Sequence, residues 1–406
     1  MKIALLHYSL PPVVGGVESV IAHHARLMSE DGYSIRLIAG RGRSIREDIP
    51  MIHVPLADSR HDRVVHVKTQ LDLGEVTRDF EPLREELIGH LKEALTGTDL
   101  MIAHNVCSLN KNLALTAALY TLHTSGNLPR LILWHHDLAW TTPRYLPELH
   151  DGYPWDLLRR DWGNVKQVVV SELRRRELAD LMKLAPASIR VIPNGVDVNQ
   201  FHKLEIQTSM LVEKTGLLDS APILLLPVRI TPRKNIELAL QVLAELRKSF
   251  PQAALLVTGP LGPHNENNLG YFENLVNLRS RLRLEGSVHF LAEVVDTYLP
   301  DEVIADFYRL ADAVILPSRE EGFGIPVLEA AFSHLPLFCA DIPPLRELGL
   351  EEAKYFSPDA DPAAVAGLLA GYFRTNAPAR LALRARLNFR WETIYHQHLV
   401  KLIHEG

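Results

Sequence analysis

Cysteine is almost absent. The 406 residues hold two, Cys107 and Cys339, far apart and each in apolar surroundings. They offer no disulfide framework and no cysteine-rich metal site. Long apolar runs are missing as well. The stretch from Met1 to Tyr8 is apolar only briefly, too short for a signal-peptide core or for the roughly 20 residues that cross a bilayer. It reads as a first strand. A basic excess is lacking too: the formal charge is −6, which excludes the electrostatic footprint of a duplex binder. The densest basic cluster, Arg174-Arg175-Arg176, lies among Glu172, Glu177 and Asp180 and reads as a solvated helix face. The dinucleotide fingerprint G-x-G-x-x-G is not found, which disfavours a nicotinamide-dependent dehydrogenase. With 47% apolar and 23% charged residues the chain has an ordinary globular composition, and its length suggests two domains. A cytoplasmic protein is expected, without a nucleic-acid partner or transmembrane segment and with peripheral membrane contact left open.

What the chain does contain is a repeated order of apolar strand, polar or glycine turn, and helix. Ile3 to Tyr8 leads into Pro11-Pro12-Val13-Val14-Gly15-Gly16-Val17-Glu18 and a helix from about Ser19 to Gly32. Further strands are read at 34–39, 100–105, 131–137, 168–172 and 189–192. Between them lie helices at 75–96, with Leu83, Leu87, Leu91 and Leu95 as a core stripe, and at 110–124. His135, His136 and Asp137 close the 131–137 strand, where open α/β sheets place their ligands. The stretch 138–163, rich in Trp, Tyr and Pro, reads as a long excursion that either shapes an acceptor pocket or packs on its own domain.

The second half follows the same order. The strand Ile223 to Arg229 runs through Ile230-Thr231-Pro232-Arg233-Lys234-Asn235 into a helix. Arg229 offers a fixed fork and Lys234 a point charge, so one loop carries two cations suited to a diphosphate, or else forms a plain basic loop. Strands at 254–260, 288–291 and 335–340 follow, with a loop at 261–270 and another at 292–302 that could border a base. Asp359-Ala360-Asp361 has a metal-binding spacing, but sits between Pro358 and Pro362 before a helix and reads as capping. Residues 379–404 read as helical.

The densest signal lies at 317–331. The strand Ala313-Val314-Ile315-Leu316 enters a turn containing Glu321-Gly322-Phe323-Gly324-Ile325-Pro326, and a helix carries Glu329. A glycine turn at a helix N-terminus favours an anion. The two carboxylates instead accept hydrogen bonds from hydroxyls. Phosphate and hydroxyls side by side describe a sugar nucleotide.

Glu321 and Glu329 with seven residues between them resemble the EX7E motif of retaining glycosyltransferases of the GT-B type, family 4. Gly15-Gly16, His136, Asn194-Gly195, Arg229 with Lys234, and Glu321 with Glu329 follow that family's order over nearly the whole chain. One departure is Asn235, where the family usually has glycine. The resemblance implies two Rossmann-like parallel-sheet domains facing across a cleft. These would be 1–195 on the acceptor side, with 388–406 packing back on it, and 196–387 for the nucleotide sugar. It implies catalytic roles for His136, Glu321, Arg229 and Lys234, and donor binding by Gly15, Gly16, Arg229, Lys234, Glu321, Gly322, Phe323, Gly324 and Glu329. No cofactor and no metal are called for. The donor would be a nucleoside diphosphate hexose, UDP-hexose before GDP-mannose, and the acceptor a carbohydrate, lipid-linked or small molecule. Alternatives are a GT-B-like epimerase or phosphorylase, or a non-catalytic sugar-nucleotide binder.

Overall fold

The computed structural model describes residues 1–13, 15–261, 266–295 and 298–405. Residues 262–265 of the expected 261–270 loop and residues 296–297 of the 292–302 stretch lie outside the described residues, and the end of the former is the start of the helix Glu266–Arg281. The chain divides into two compact units. Unit 1 is Met1–Gly195 together with the segment from Trp391 onward, and unit 2 is Val196–Arg390.

Unit 1 is built on a seven-stranded sheet of β1 (Lys2–Leu6), β2 (Ser34–Ala39), β3 (Met51–His53), β4 (Leu100–His104), β5 (Arg130–His135), β6 (Lys166–Val169) and β7 (Ile189–Val191). Their order is β3-β2-β1-β4-β5-β6-β7, and every pair is parallel. Parallel strands are covered on both faces, which is why these segments read as unbroken apolar runs. The period of two divides them cleanly. Ala4, Leu6, Met101, Ala103, Leu131 and Leu133 belong to one core layer, and Ile3, Leu5, Leu100, Ile102, Ile132 and Trp134 to the other. The first layer is covered by the helices Phe80–Ala94 and Leu113–Thr124. Trp155, Leu157, Leu158 and Trp162 are buried in that layer, so the aromatic excursion packs on its own unit.

The second layer is covered by the helix Gly16–Glu30 and by the end of the chain. The helical pattern expected over 379–404 is two segments. The helix Ala377–Asn388 ends in unit 2, and helical structure resumes at Trp391 in unit 1. Between them Phe389 O accepts from Val196 N at 2.7 Å, so the outgoing and returning strands of chain run side by side. Trp391, Ile394, Tyr395, Leu399, Leu402 and Ile403 then fill the layer.

Unit 2 repeats the plan with β8 (Ile223–Leu226), β9 (Ala254–Val257), β10 (Val288–Phe290), β11 (Ala313–Leu316), β12 (Leu337–Ala340) and β13 (Lys354–Phe356). The order is β10-β9-β8-β11-β12-β13, again all parallel. In both sheets the strand order reverses beside the first strand of the unit. The reversal lies between β1 and β4 in unit 1 and between β8 and β11 in unit 2. Ligands of such sheets bind outside the carboxyl ends at that reversal.

Trp391 is 3% exposed, with its ring stacked on His23 at 5.0 Å and edge-on to His24 at 5.5 Å. Trp391→Ala is expected to destabilise unit 1 by roughly 3–5 kcal/mol. Hydrogen exchange is the check: amides of β1 and β2 should lose protection while those of β8 and β11 keep it. Equal loss in both sheets would contradict the division into two units.

Candidate functional site

In unit 2 the segment after β8 is held by backbone contacts. Ile230 N donates to Pro260 O at 3.2 Å, and the 228–229 backbone passes so close to Gly259 that a Cβ there would lie 2.0 Å from Val228 O. Only glycine fits. Arg229 stands on this clamped turn, exposed, with no hydrogen-bond or ionic partner among the described residues. A short 3-10 turn, Pro232–Lys234, follows, and Asn235 caps the helix Ile236–Leu246 with φ 54° and ψ 44°. This left-handed position accounts for Asn235 replacing glycine, because asparagine tolerates that region best among the other residues. Its side chain adds a tie that glycine lacks. Nδ2 donates to Pro317 O at 3.0 Å and to Pro358 O at 2.9 Å, joining the β8 loop to the β11 loop.

Across the strand reversal, β11 delivers Ser318 and Glu321. Lys234 Nζ donates to Glu321 Oε1 at 2.6 Å, and Ser318 Oγ donates to the same oxygen at 2.8 Å. The Lys234 and Glu321 side chains are 9% and 8% exposed. Removing one partner of such a buried pair strands a charge, at a cost of about 3–5 kcal/mol, yet a buried pair adds little net stability over apolar packing. Its place at the carboxyl ends of the strands, where sheets of this kind bind ligands, suits a site better than a scaffold. Gly324, at φ 104°, turns the chain into the helix Ile325–Phe332, leaving Gly322 and Phe323 exposed ahead of it. On that helix Glu329 Oε2 accepts from Tyr308 OH at 2.5 Å. Burial first, and the hydrogen bond to Glu329 second, push the Tyr308 phenol far up, so it stays a donor. Asp361 accepts from Ala363 N at 3.3 Å and caps the helix Pro362–Thr375, while Asp359 pairs with Arg319 at 2.5 Å.

The strand reversal of unit 1 gathers a different chemistry. Gly15 is the N-cap of the Gly16–Glu30 helix and Gly16 its first residue, so the helix begins before the expected Ser19. Glu18 folds back over Gly15, where a Cβ would lie 2.1 Å from Oε2. Glu18 Oε1 accepts from Ser9 Oγ at 2.7 Å and faces His7 Nε2 at 3.9 Å. The other nitrogen of His7, Nδ1, lies 2.7 Å from His104 O; a carbonyl only accepts, so the proton sits on Nδ1. β4 and β5 pair with His104 beside Trp134, and His136, two residues on, projects to the same side. His104 Nδ1 and His136 Nε2 are 3.2 Å apart. Asn105 Oδ1 accepts from His136 N at 2.7 Å and from Asp137 N at 3.2 Å. His135 takes the alternate side, with Nε2 2.7 Å from Gln167 Oε1, and stands apart from this cluster.

Arg229, Lys234, Glu321, Gly322, Phe323 and Gly324, with Glu329 on the helix that follows, thus lie at one reversal, and Gly15, Gly16 and His136 at the other. Ser318, Tyr308, His7, Glu18 and His104 belong with them and carry no motif. Their only signal in the sequence is a polar residue at or just beyond a strand end, a carboxylate in the first turn of a helix, or a tyrosine in a helix that precedes the motif.

The imidazoles are buried deeply enough to stay neutral. Burial is the largest cause for each: it lowers His7 and His135 to about 4, His24 and His136 to about 3, and His104 well below its usual value. In unit 2 the same downward shift falls, among the described residues, on half-buried His202 and His289. Below about pH 6.5 the unfolded chain takes up protons that the folded one refuses. Stability is therefore full above that pH and declines as pH falls toward the folded values. At about 1.4 kcal/mol per unit and group, five such residues remove on the order of 5 kcal/mol by about pH 5.5. Unit 1 should unfold on mild acidification before unit 2. Circular dichroism with hydrogen exchange between about pH 7 and 5 checks this, and simultaneous loss of both units would contradict it.

Residues 14–200 match the family described as Glycosyltransferase Family 4, and residues 210–386 match the family described as Glycosyl transferases group 1. The mannosylglucosylglycerate synthase of Petrotoga mobilis is 26% identical over 370 residues, covering 84% of this chain and 83% of that protein. That of Thermotoga maritima is 24% identical over 364 residues, covering 83% and 80%. The D-inositol 3-phosphate glycosyltransferase of Kineococcus radiotolerans is 32% identical over 186 residues, covering 46% and 41%. With both units matched, over residues 14–200 and 210–386, the chain belongs to the group 1, family 4 glycosyltransferases.

Proposed function

We propose that this glycosyltransferase moves a hexose from a nucleoside diphosphate sugar to an acceptor hydroxyl, with retention of configuration and without a metal ion. UDP-hexose is the first donor to test and GDP-mannose the second. The observation that carries the reading is the buried Lys234–Glu321 pair at the β8/β11 reversal, with Arg229 exposed on the same loop as Lys234 and without a partner among the described residues. A donor would exchange that pair for better partners. Its diphosphate takes the Lys234 ammonium and the Arg229 fork, and the hydroxyls of its sugar donate to Glu321. Backbone N–H groups before the Ile325 helix favour the same negative charge. Glu329, oriented by Tyr308, accepts from ribose hydroxyls. Gly15 and Gly16 let backbone approach the phosphates and the acceptor, and His136 hydrogen-bonds the transferred sugar.

In the reaction the bond from the anomeric carbon to the phosphate oxygen breaks and a bond to the acceptor oxygen forms on the same face. The acceptor proton passes to the departing phosphate. Negative charge grows on that phosphate as the bond lengthens, and Arg229 and Lys234 stabilise it there. The two cations fill the part that a metal would otherwise play. With the donor bound, Glu321 is engaged by Ser318 and by the hydroxyls of the sugar, so its role is hydrogen bonding and not covalent attack. The names of the relatives contain glycerate and inositol 3-phosphate. Small hydroxylated anions are therefore the first acceptor class to test.

Lys234→Ala should lower kcat by roughly 10²–10³-fold. Glu321→Gln should lower it less, because an amide oxygen still accepts, only more weakly. Release of nucleoside diphosphate, with and without a chelator, measures both. A Lys234→Ala variant altered only in acceptor KM would overturn the diphosphate assignment. Wild-type turnover by Glu321→Gln would remove that carboxylate from the site, and loss of turnover in chelator would overturn metal independence.

A further inference from the structure

We infer that His104 is a positioning residue that holds the His136 proton on Nδ1, so that His136 meets the substrate as a hydrogen-bond donor and not as a base. The inference rests on the proposed placement of His136 at the transferred sugar and goes one step further, to its chemical role.

The argument starts from the 3.2 Å contact between His104 Nδ1 and His136 Nε2. Two neutral imidazoles share one proton along such a contact. If His136 donates, the proton of His104 must sit on its Nε2. That atom is buried and has no hydrogen-bond partner. An orphaned buried N–H is rarer in folded proteins than an under-used acceptor. If His104 donates instead, its Nε2 is a bare lone pair, which is the smaller loss. The surroundings agree. His104 is 0% exposed, its ring is stacked on Trp134 at 5.3 Å, and it meets His24, itself without partners at either nitrogen. With His104 donating, His136 Nε2 is an acceptor and the His136 proton lies on Nδ1.

His136 is buried with 9% of its surface exposed, and its Nδ1 has no partner among the described residues. That atom is the one left to meet a ligand. Burial keeps the pair neutral, and the imidazoles around it oppose a charge there. His7 and Glu18 stand on the β1 side, His24 on the covering helix, and His135 and Asp137 flank it in the chain, with Glu18 bound to Ser9 and Asp137 3.5 Å from Arg174. A neutral Nδ1–H cannot take a proton from an acceptor hydroxyl. It can donate to a sugar oxygen, and it leaves the acceptor proton to the departing phosphate.

Long-range 1H–15N spectra of histidine-labelled protein at neutral pH give the tautomer directly, with the His136 signals identified by their loss in His136→Asn. The expected result is a protonated Nδ1 and a bare Nε2. A proton on Nε2 in the wild-type protein overturns the inference, and this arm needs no variant of His104. His104→Gln, which keeps a donor, should hold the Nδ1–H tautomer and most of the activity. His104→Ala should mix the tautomers, lower kcat by about 10-fold with little change in donor KM, and add an acid limb near pH 6 to the rate profile as His136 is rehydrated. An unmixed tautomer in folded His104→Ala also overturns it. Full activity in His136→Ala would remove His136 from the reaction while leaving the tautomer assignment to the spectra, so the two failures are distinguishable.

Discussion

One carboxylate oxygen ties the candidate site of unit 2 together. Glu321 Oε1 accepts from Lys234 and from Ser318, and the first of these bonds spans 87 positions of sequence. It forms because β8 and β11 are neighbours at the strand reversal, so two loops far apart in the chain leave the sheet side by side. Burial gives the contact its meaning. A lysine and a glutamate under a tenth exposed are held at high electrostatic cost, and each is satisfied chiefly by the other. A ligand with negative charge for one and hydroxyls for the other satisfies both at once, which is the chemistry of a sugar nucleotide. Gly259 and Asn235 serve the same end by clamping the loop that carries Arg229 and Lys234.

Unit 1 uses the same sheet geometry with another material. Its strand reversal is lined by imidazoles that burial keeps neutral; a carbonyl that can only accept fixes the His7 proton, and His104 and His136 meet nitrogen to nitrogen. The Lys234–Glu321 ion pair dominates one reversal, and neutral imidazoles with Glu18 at their edge dominate the other. The same burial makes unit 1 sensitive to acid, so the property that sets the histidine tautomer also sets a limit on stability.

The sequence made the strands legible because parallel strands buried on both faces are unbroken apolar runs. It also made the landmark residues legible, because glycine turns and paired charges fall at strand ends. It hid elements whose burial is slight. The helix Asp62–Asp72 buries Val64, Val67 and Leu71 and is otherwise polar, and β3 is three residues at a sheet edge. It hid Ser318, Tyr308, Glu18 and His104 for a different reason. Their roles depend on which strands are neighbours, and neighbour order is not written in local spacing. Asn235 looked like a departure from the pattern. Its left-handed backbone shows the constraint kept, with two hydrogen bonds added.

The central claim is that Lys234 and Glu321 hold places for the two halves of one donor. The most direct measurement is a crystal structure of the protein with a bound nucleoside diphosphate hexose. Lys234 Nζ should then lie on a phosphate oxygen and Glu321 on a hydroxyl of the hexose, with Arg229 on the same diphosphate. A bound donor that leaves the Lys234–Glu321 bond intact, with its phosphates placed elsewhere, would contradict the account.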